Sequence, residues 1–359
     1  MYKRITLKVG SNVLALQDGN LNENLIAKIV EQIVFLKQKG VEILLVSSGA
    51  VASGRKIIGE PKNCDAVSRR QLWAAVGQVK LIQKYSELFD RHGIICSQVL
   101  ATKEDFRDRR HFLNMRNCLE TLLKNSVLPV INENDVVSIT ELMFTDNDEL
   151  SGLITNMMKS DALIILSNID GIYDSTPSDP GSKVIPIIEP GNMTASRYIT
   201  SSKSDFGRGG MITKFSIAKK IAMSGTPVHI ANGFTGNILL NIVEGNKNTI
   251  QTIFTPGRKT TTFKKWLAHS DTVVKGAVHI NAGAAARLRD RYATSLLPVG
   301  VTGIEGEFAK GDIIQIIDNN GIAIGLGRSE YSSDTIRKKA GEHNAKPVIH
   351  YDYMYLIQA

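Results

Sequence analysis

The chain has 359 residues, 43% of them hydrophobic and 22% charged, with a formal net charge of +8. The length predicts two domains, each large enough for its own core. No apolar run approaches the ~18 residues that a membrane helix needs, and no signal-like apolar segment precedes Lys8. Three cysteines, Cys64, Cys96 and Cys118, lack metal-ligand spacing and read as reduced thiols. The expectation is a cytoplasmic protein without a membrane partner. The basic clusters at 107–110, 258–265 and 337–339 lack the aromatic interleaving of a base-stacking surface and read as solvated faces.

In chain order, residues 5–9 form an apolar strand that ends abruptly in Gly10-Ser11-Asn12. Leu25, Ile29, Ile33 and Leu36 recur at helical spacing, and Gly40 is placed to end that helix. Residues 43–46 read as a buried strand, which runs into Ser47-Ser48-Gly49-Ala50. A long helix follows over 71–89, then a strand over 94–100, a helix through 115–123 and a strand over 127–131. Apolar strands at 162–166, 184–188 and 228–230 complete the series. Such alternation predicts a mostly parallel sheet with helices on both faces, and ligands gather at the carboxyl ends of its strands.

The pattern changes at Pro256-Gly257, so we divide the chain into a domain over 1–254, a linker over 255–268 and a module over 269–359. That module reads as strands over 272–280, 300–308, 312–317 and 321–326, with a small helix over 281–289. Asp318-Asn319-Asn320-Gly321 is a hairpin turn signal.

The glycine turns after the strands at 5–9 and 43–46 let backbone N–H groups approach an anion with no Cβ in the way. Lys8, at the lip of the first strand, adds a point charge suited to phosphate. Ile131-Asn132-Glu133-Asn134-Asp135 follows a strand as though delivering polar side chains to the same edge. Thr145-Asp146-Asn147-Asp148-Glu149-Leu150 opens a helix; capping explains one aspartate there, but not Asp146, Asn147 and Asp148 together. Gly207-Arg208-Gly209-Gly210-Met211-Ile212-Thr213-Lys214 is a glycine-rich turn entering a helix, with a spacing unlike Walker A.

With those segments in view, the chain resembles the glutamate 5-kinase branch of the amino acid kinase family. The likeness runs through KVGSN, SSGAVASG, AAVGQ, PVINENDVV, DNDELS, LSNIDGIY and GRGGMITK, in family order; SLLPVGVTGIEGEFAKGDII resembles a PUA domain. The resemblance implies an α/β three-layer sandwich with a mostly parallel central sheet, followed by a small β-rich PUA-like barrel. It implies transfer of the ATP γ-phosphoryl group to the side-chain carboxylate of L-glutamate, the first step of proline synthesis. It also implies Mg²⁺ bound mainly through ATP, with no protein metal ligands, and assembly as a dimer or tetramer. Feedback inhibition by proline is typical of the family, and RNA is a ligand class of PUA folds that nothing else in this sequence supports.

Carried over residue by residue, Lys8 matches the lysine that contacts the transferring phosphoryl group, Lys214 the one on the nucleotide side, and Asp148 the aspartate that orients them. Ser48, Asp135 and Asn147 match positions that bind glutamate, and Gly10, Gly49 and Ala50 match backbone amides facing the phosphoryl group. Ser167, Asn168, Arg208, Gly209, Gly210, Met211, Ile212, Thr213 and Lys214 match the nucleotide segments, to which Lys8 also contributes. Related sequences commonly place aspartate where this one has Asn168, which leaves base preference open; an amide oxygen can still accept a hydrogen bond.

The chemistry fits independently. A glutamate carboxylate, with a free pKa near ~4.3, is ionised at neutral pH, so no general base is needed. Positioning and positive charge around the phosphoryl group are what the reaction asks for. Two rivals stay open at this point: a superfamily member with another acceptor, set apart by the loop over 138–144, and an RNA-binding protein whose working part is the C-terminal module.

Overall fold

The computed structural model describes residues 2–138, 144, 146–175, 179, 181–190, 210–257, 274–289, 294–343 and 346–356. Its contacts divide the chain into two units, Met1–Lys259 and Thr260–Ala359. The segment over 258–268, assigned above to the linker, lies outside the described residues.

The first unit carries strands β1 (Arg4–Val9), β2 (Glu42–Ser47), β3 (Cys96–Ala101), β4 (Leu128–Glu133), β5 (Ala162–Ser167), β6 (Ile187–Ile188), β7 (Val228–Asn232) and β8 (Thr252–Phe254). Its helices are α1 (Ser11–Leu14), α2 (Glu23–Gln38), α3 (Ala50–Ile58), α4 (Ala66–Asp90), α5 (Glu104–Arg107), α6 (Arg109–Lys124), α7 (Asn147–Met158), α8 (Met211–Met223) and α9 (Ile238–Glu244). The strands form one eight-stranded sheet in the order β3-β4-β2-β1-β5-β7-β8-β6. Every pairing is parallel except β7 with β8.

Alternation along the strands builds two cores, one on each face of the sheet. In β5, Ala162, Ile164 and Leu166 pack with Ile26, Ile29 and Ile33 of α2. The intervening Leu163 and Ile165 pack with Phe215, Ala218 and Ile221 of α8. Strands buried on both faces read as continuous apolar runs, which is why β2 and β5 were visible in the sequence. In β1, Ile5, Leu7 and Val9 join the α2 core. Thr6 and Lys8 therefore face the other layer, where Thr6 Oγ1 lies 2.8 Å from Ser160 Oγ.

Several boundaries differ from the sequence reading. Helix α4 begins at Ala66 rather than Gln71, because Asp65 caps it, accepting from the amides of Val67 (2.8 Å) and Ser68 (2.9 Å). The strand expected over 184–188 is only Ile187–Ile188, with Val184 making an isolated bridge to Tyr173. The short β8 and the helices α1, α3, α5 and α9 were not foreseen.

The second unit holds β9 (Gly276–Ile280), α10 (Ala282–Arg289), β10 (Val301–Glu305), β11 (Ile313–Ile317), β12 (Ala323–Arg328), α11 (Ser333–Lys339) and β13 (Met354–Leu356). The strands form a five-stranded sheet in the order β10-β9-β11-β12-β13 around Val278, Ile314, Ile316 and Ile349. The expected turn joins β11 to β12: Gly321 N donates to Asp318 O at 3.0 Å, and Asp318 Oδ1 accepts from Asn320 and Ile322. Among the described residues, no helix is long and apolar enough to cross a membrane.

Candidate active site

Because β4, β2, β1, β5 and β7 run parallel, their carboxyl ends share one edge, where Ser47 lies beside Val9 and Asn232 beside Ser167. A cavity of about 780 Å³ opens there, a size typical of small-molecule sites. Reversal of the chain's direction of winding between β2 and β5, on either side of β1, places it at the topological switch point.

Lys8 and Lys214 line the cavity, and Asp148 lies behind them, fully buried. Lys8 Nζ is 2.5 Å from Asp148 Oδ1, and Lys214 Nζ is 3.0 Å from Asp148 Oδ2. Strand β1 supplies Lys8, the first turn of α7 supplies Asp148, and the first turn of α8 supplies Lys214. Burial alone would push the Asp148 carboxyl up, but the two ammonium groups outweigh it and hold it well below the usual carboxylate range. For Lys214 burial works against the charge, and Asp148 with Asp146 overcomes it, so its pKa is raised.

Asp146 caps α7, its Oδ1 accepting from the amides of Asp148 (2.9 Å) and Glu149 (3.1 Å). Its carboxyl is pushed up to about 6, first by burial and then by the negative charge of Asp148. Its Oδ2 and Asn147 Oδ1 are buried with no hydrogen-bond partner among the described residues, and both side chains line the cavity. A native site rarely leaves such atoms unmatched unless a ligand or water is meant to meet them.

From Asn147 a linked polar set runs along the lining. Asn147 Nδ2 donates to Ser48 Oγ and to Asn132 Oδ1, each at 2.9 Å. Asn132 Nδ2 donates to Gln78 Oε1 at 2.8 Å. Asp135, 6% exposed, is held by Arg70, whose Nε lies 2.9 Å and Nη2 2.7 Å from the same Oδ1. The structure thus gathers Ser48, Asp135 and Asn147 around one space.

Gly49 has φ +101°, a left-handed conformation suited to glycine, and it turns the chain from β2 into α3. Ala50 is the first residue of that helix, where helical geometry leaves the opening N–H groups without an intrahelical acceptor. Gly10 is a correction. Its amide donates to Leu166 O at 3.0 Å and so does not face the cavity as a free donor. A Cβ at Gly10 would come within 3.3 Å of Leu166 O, a tight contact, so glycine there eases the approach of the chain to β5.

On the remaining side Ser167, Asn168, Gly210 and Met211 line the cavity. Asn168 Oδ1 accepts from Ser167 Oγ at 3.4 Å. Thr213 turns its hydroxyl back to Gly210 O at 2.7 Å, and Ile212 is 50% exposed, so neither lines the cavity with its neighbours. Arg208 and Gly209 lie outside the described residues.

Sequence reasoning missed Arg70, Trp73 and Phe234, all of which line the cavity. The Asp65 capping signal could have brought Arg70 into the helix; nothing local marks Phe234. The close crossing of α3 and α4 was also hidden in the motifs. A Cβ on Gly54 would collide with the Trp73 carbonyl, and one on Gly77 with that of Ala50.

Comparison with known proteins follows the same lines. The sequence pattern of the amino acid kinase family matches residues 3–232, and that of the PUA domain residues 276–351. A glutamate 5-kinase of Bacteroides thetaiotaomicron is 53% identical over 356 residues, covering 99% of either chain. One of Chlorobaculum tepidum is 49% identical over 358 residues, covering 99% of this chain and 98% of its own. Among solved structures, a carbamate kinase from Giardia lamblia superposes with a TM-score of 0.52 at 16% identity, covering 71% of this chain and 98% of its own. The UMP kinase of Bacillus anthracis gives 0.50 at 17%, covering 71% and 96%. At such identities the likeness is one of fold. With full-length relatives of that similarity and a pattern spanning seven of the eight strands of the sheet, the chain belongs to the amino acid kinase family, in its glutamate 5-kinase branch.

Proposed function

We propose that the protein transfers the γ-phosphoryl group of ATP to the side-chain carboxylate of L-glutamate, giving γ-glutamyl 5-phosphate. The observation that carries this reading is the Lys8–Asp148–Lys214 bridge behind the cavity wall. One carboxylate fixes two ammonium groups at separate points and prevents their mutual repulsion from driving them apart. Their remaining positive charge faces the cavity, where a migrating phosphoryl group and its leaving oxygen gather negative charge.

The acceptor enters already ionised, so the reaction needs alignment rather than proton removal. Ser48, Asn147 and Asp135 form the acceptor wall; Ser167, Asn168, Gly210 and Met211 form the nucleotide wall. The opening amides of α3, at Gly49 and Ala50, meet the phosphoryl oxygens between them. Mg²⁺ arrives as part of the nucleotide substrate, held by phosphates and water. Asp148 carries a lysine on each of its two oxygens, so its charge serves the ammonium pair. Proline shares the α-carboxylate and ammonium of glutamate, and competition for the acceptor wall would raise the apparent glutamate KM.

Hydroxylamine traps acyl phosphates, so an ATP-dependent hydroxamate assay tests the reading directly. Glutamate gives signal; aspartate and N-acetylglutamate do not, and UMP releases no ADP. Turnover of another acceptor in preference to glutamate would overturn the assignment.

A further inference from the structure

Four cationic side chains among the described residues line the cavity: Lys8, Lys214, Arg55 and Arg70. Lys8 and Lys214 share Asp148. Arg55 is turned toward Glu60, 2.5 Å away, with its guanidinium 5.3 Å from the Trp73 ring centroid. Arg70 is the cation beside the acceptor wall.

Its geometry is one-sided. A guanidinium usually grips a carboxylate with two parallel bonds to two oxygens. Here Nε and Nη2 converge on the single Oδ1 of Asp135, and Nη2 comes no nearer than 3.9 Å to Glu133 Oε2. Among the described residues Nη1 has no partner. The Arg70 side chain is 25% exposed and that of Asp135 is 7%, so the pair shows the cavity a buried acid and an accessible cationic edge.

An amino acid brings an ammonium and a carboxylate on one carbon, and each requires an opposite charge when removed from water. With the side-chain carboxylate of glutamate directed to the phosphoryl group, its α-carboxylate needs a cation other than the two lysines. We propose that Arg70 recognises the α-carboxylate of the acceptor, and that the Arg70–Asp135 pair reads the zwitterionic head as a unit. The inference rests on the glutamate reading above.

The competing role is structural: Arg70 neutralises Asp135 and Glu133 without touching substrate. Two analogues separate the roles, because 4-aminobutyrate lacks only the α-carboxylate of glutamate and glutarate lacks only the ammonium. Dissociation constants of all three are measured on the full chain, with a non-hydrolysable ATP analogue and Mg²⁺ present. Arg70→Met weakens glutamate and glutarate by about 10–100-fold, the range of a charge-assisted hydrogen bond, and leaves 4-aminobutyrate within about threefold. Arg70→Lys, which keeps the charge but not the planar fork, recovers part of the loss. Equal weakening of all three ligands, or unchanged glutamate affinity, overturns the proposal. Absence of acyl phosphate from glutamate with the unmodified enzyme would instead overturn the substrate reading beneath it.

Discussion

Asp148 and Lys214 meet at 3.0 Å across the gap between two helix starts, on the carboxylate oxygen that Lys8 does not use. Helix α7 brings the acid and helix α8 the base, so this contact also ties the two helices at the rim of the sheet. Removing the charge from Asp148 strands two cations whose side chains are only 5% and 12% exposed. Asp148→Asn is expected to lower stability by about 3 kcal/mol, as loss of one partner from a buried ion pair does. Urea denaturation at neutral pH measures it, and adding Lys214→Met to Asp148→Asn should restore part of the loss.

Asp146 behaves in the opposite sense. Its carboxyl is raised from 3.8 to about 6, so between those values the folded protein holds a proton that the unfolded chain has released. Stability therefore falls as pH rises through that window. Asp146→Asn keeps a good helix cap and removes the charge. The variant should gain about 1–2 kcal/mol over the parent on going from pH 5 to pH 7.5, within the ~3 kcal/mol that two pKa units allow. Parallel pH dependence in the two proteins would show that Asp146 is not the group responsible.

Gly77 is required by contact, not by conformation. An added methyl there would run into the carbonyl of Ala50, the residue that opens α3 toward the cavity. Gly77→Ala is expected to destabilise by about 3 kcal/mol or more, at the upper end of overpacking effects. Thermal melting checks it, and a shift near zero would mean that the two helices can part without penalty.

For the acceptor wall, Asp135→Asn and Asn147→Ala should raise the glutamate KM at least about tenfold, through loss of a charged or buried hydrogen bond. The ATP KM should move far less. Steady-state kinetics with each substrate varied in turn decides it, and an unchanged glutamate KM would remove both residues from the acceptor pocket.

Much of this arrangement was legible because the parallel sheet writes itself as apolar runs. Residues 43–46 and 162–166 sit between two helical layers and so alternate with nothing polar. Lys8 stood out for the same reason, as a charge on a strand otherwise buried. The DNDELS segment was legible too, since a single cap could not account for both aspartates. What stayed hidden depends on contacts distant in sequence. Gly54 and Gly77 look like ordinary helix glycines until α3 and α4 are seen to cross at backbone distance. Arg70 lies 65 residues from the Asp135 that it holds, and no local pattern joins them. Gly10 was placed at the right edge with the wrong task, because its hydrogen bond to Leu166 exists only once β1 and β5 are neighbours.

In the proposed reaction, two ammonium groups fixed by one carboxylate stabilise the phosphoryl group in transfer. The most direct measurement is the kcat of Lys8→Ala and Lys214→Ala in the hydroxamate assay, at saturating ATP and glutamate. Each should fall about 10²–10³-fold, as loss of one preorganised charge-stabilising group does, while the glutamate KM changes little. A kcat near that of the unmodified enzyme in either variant would contradict the account.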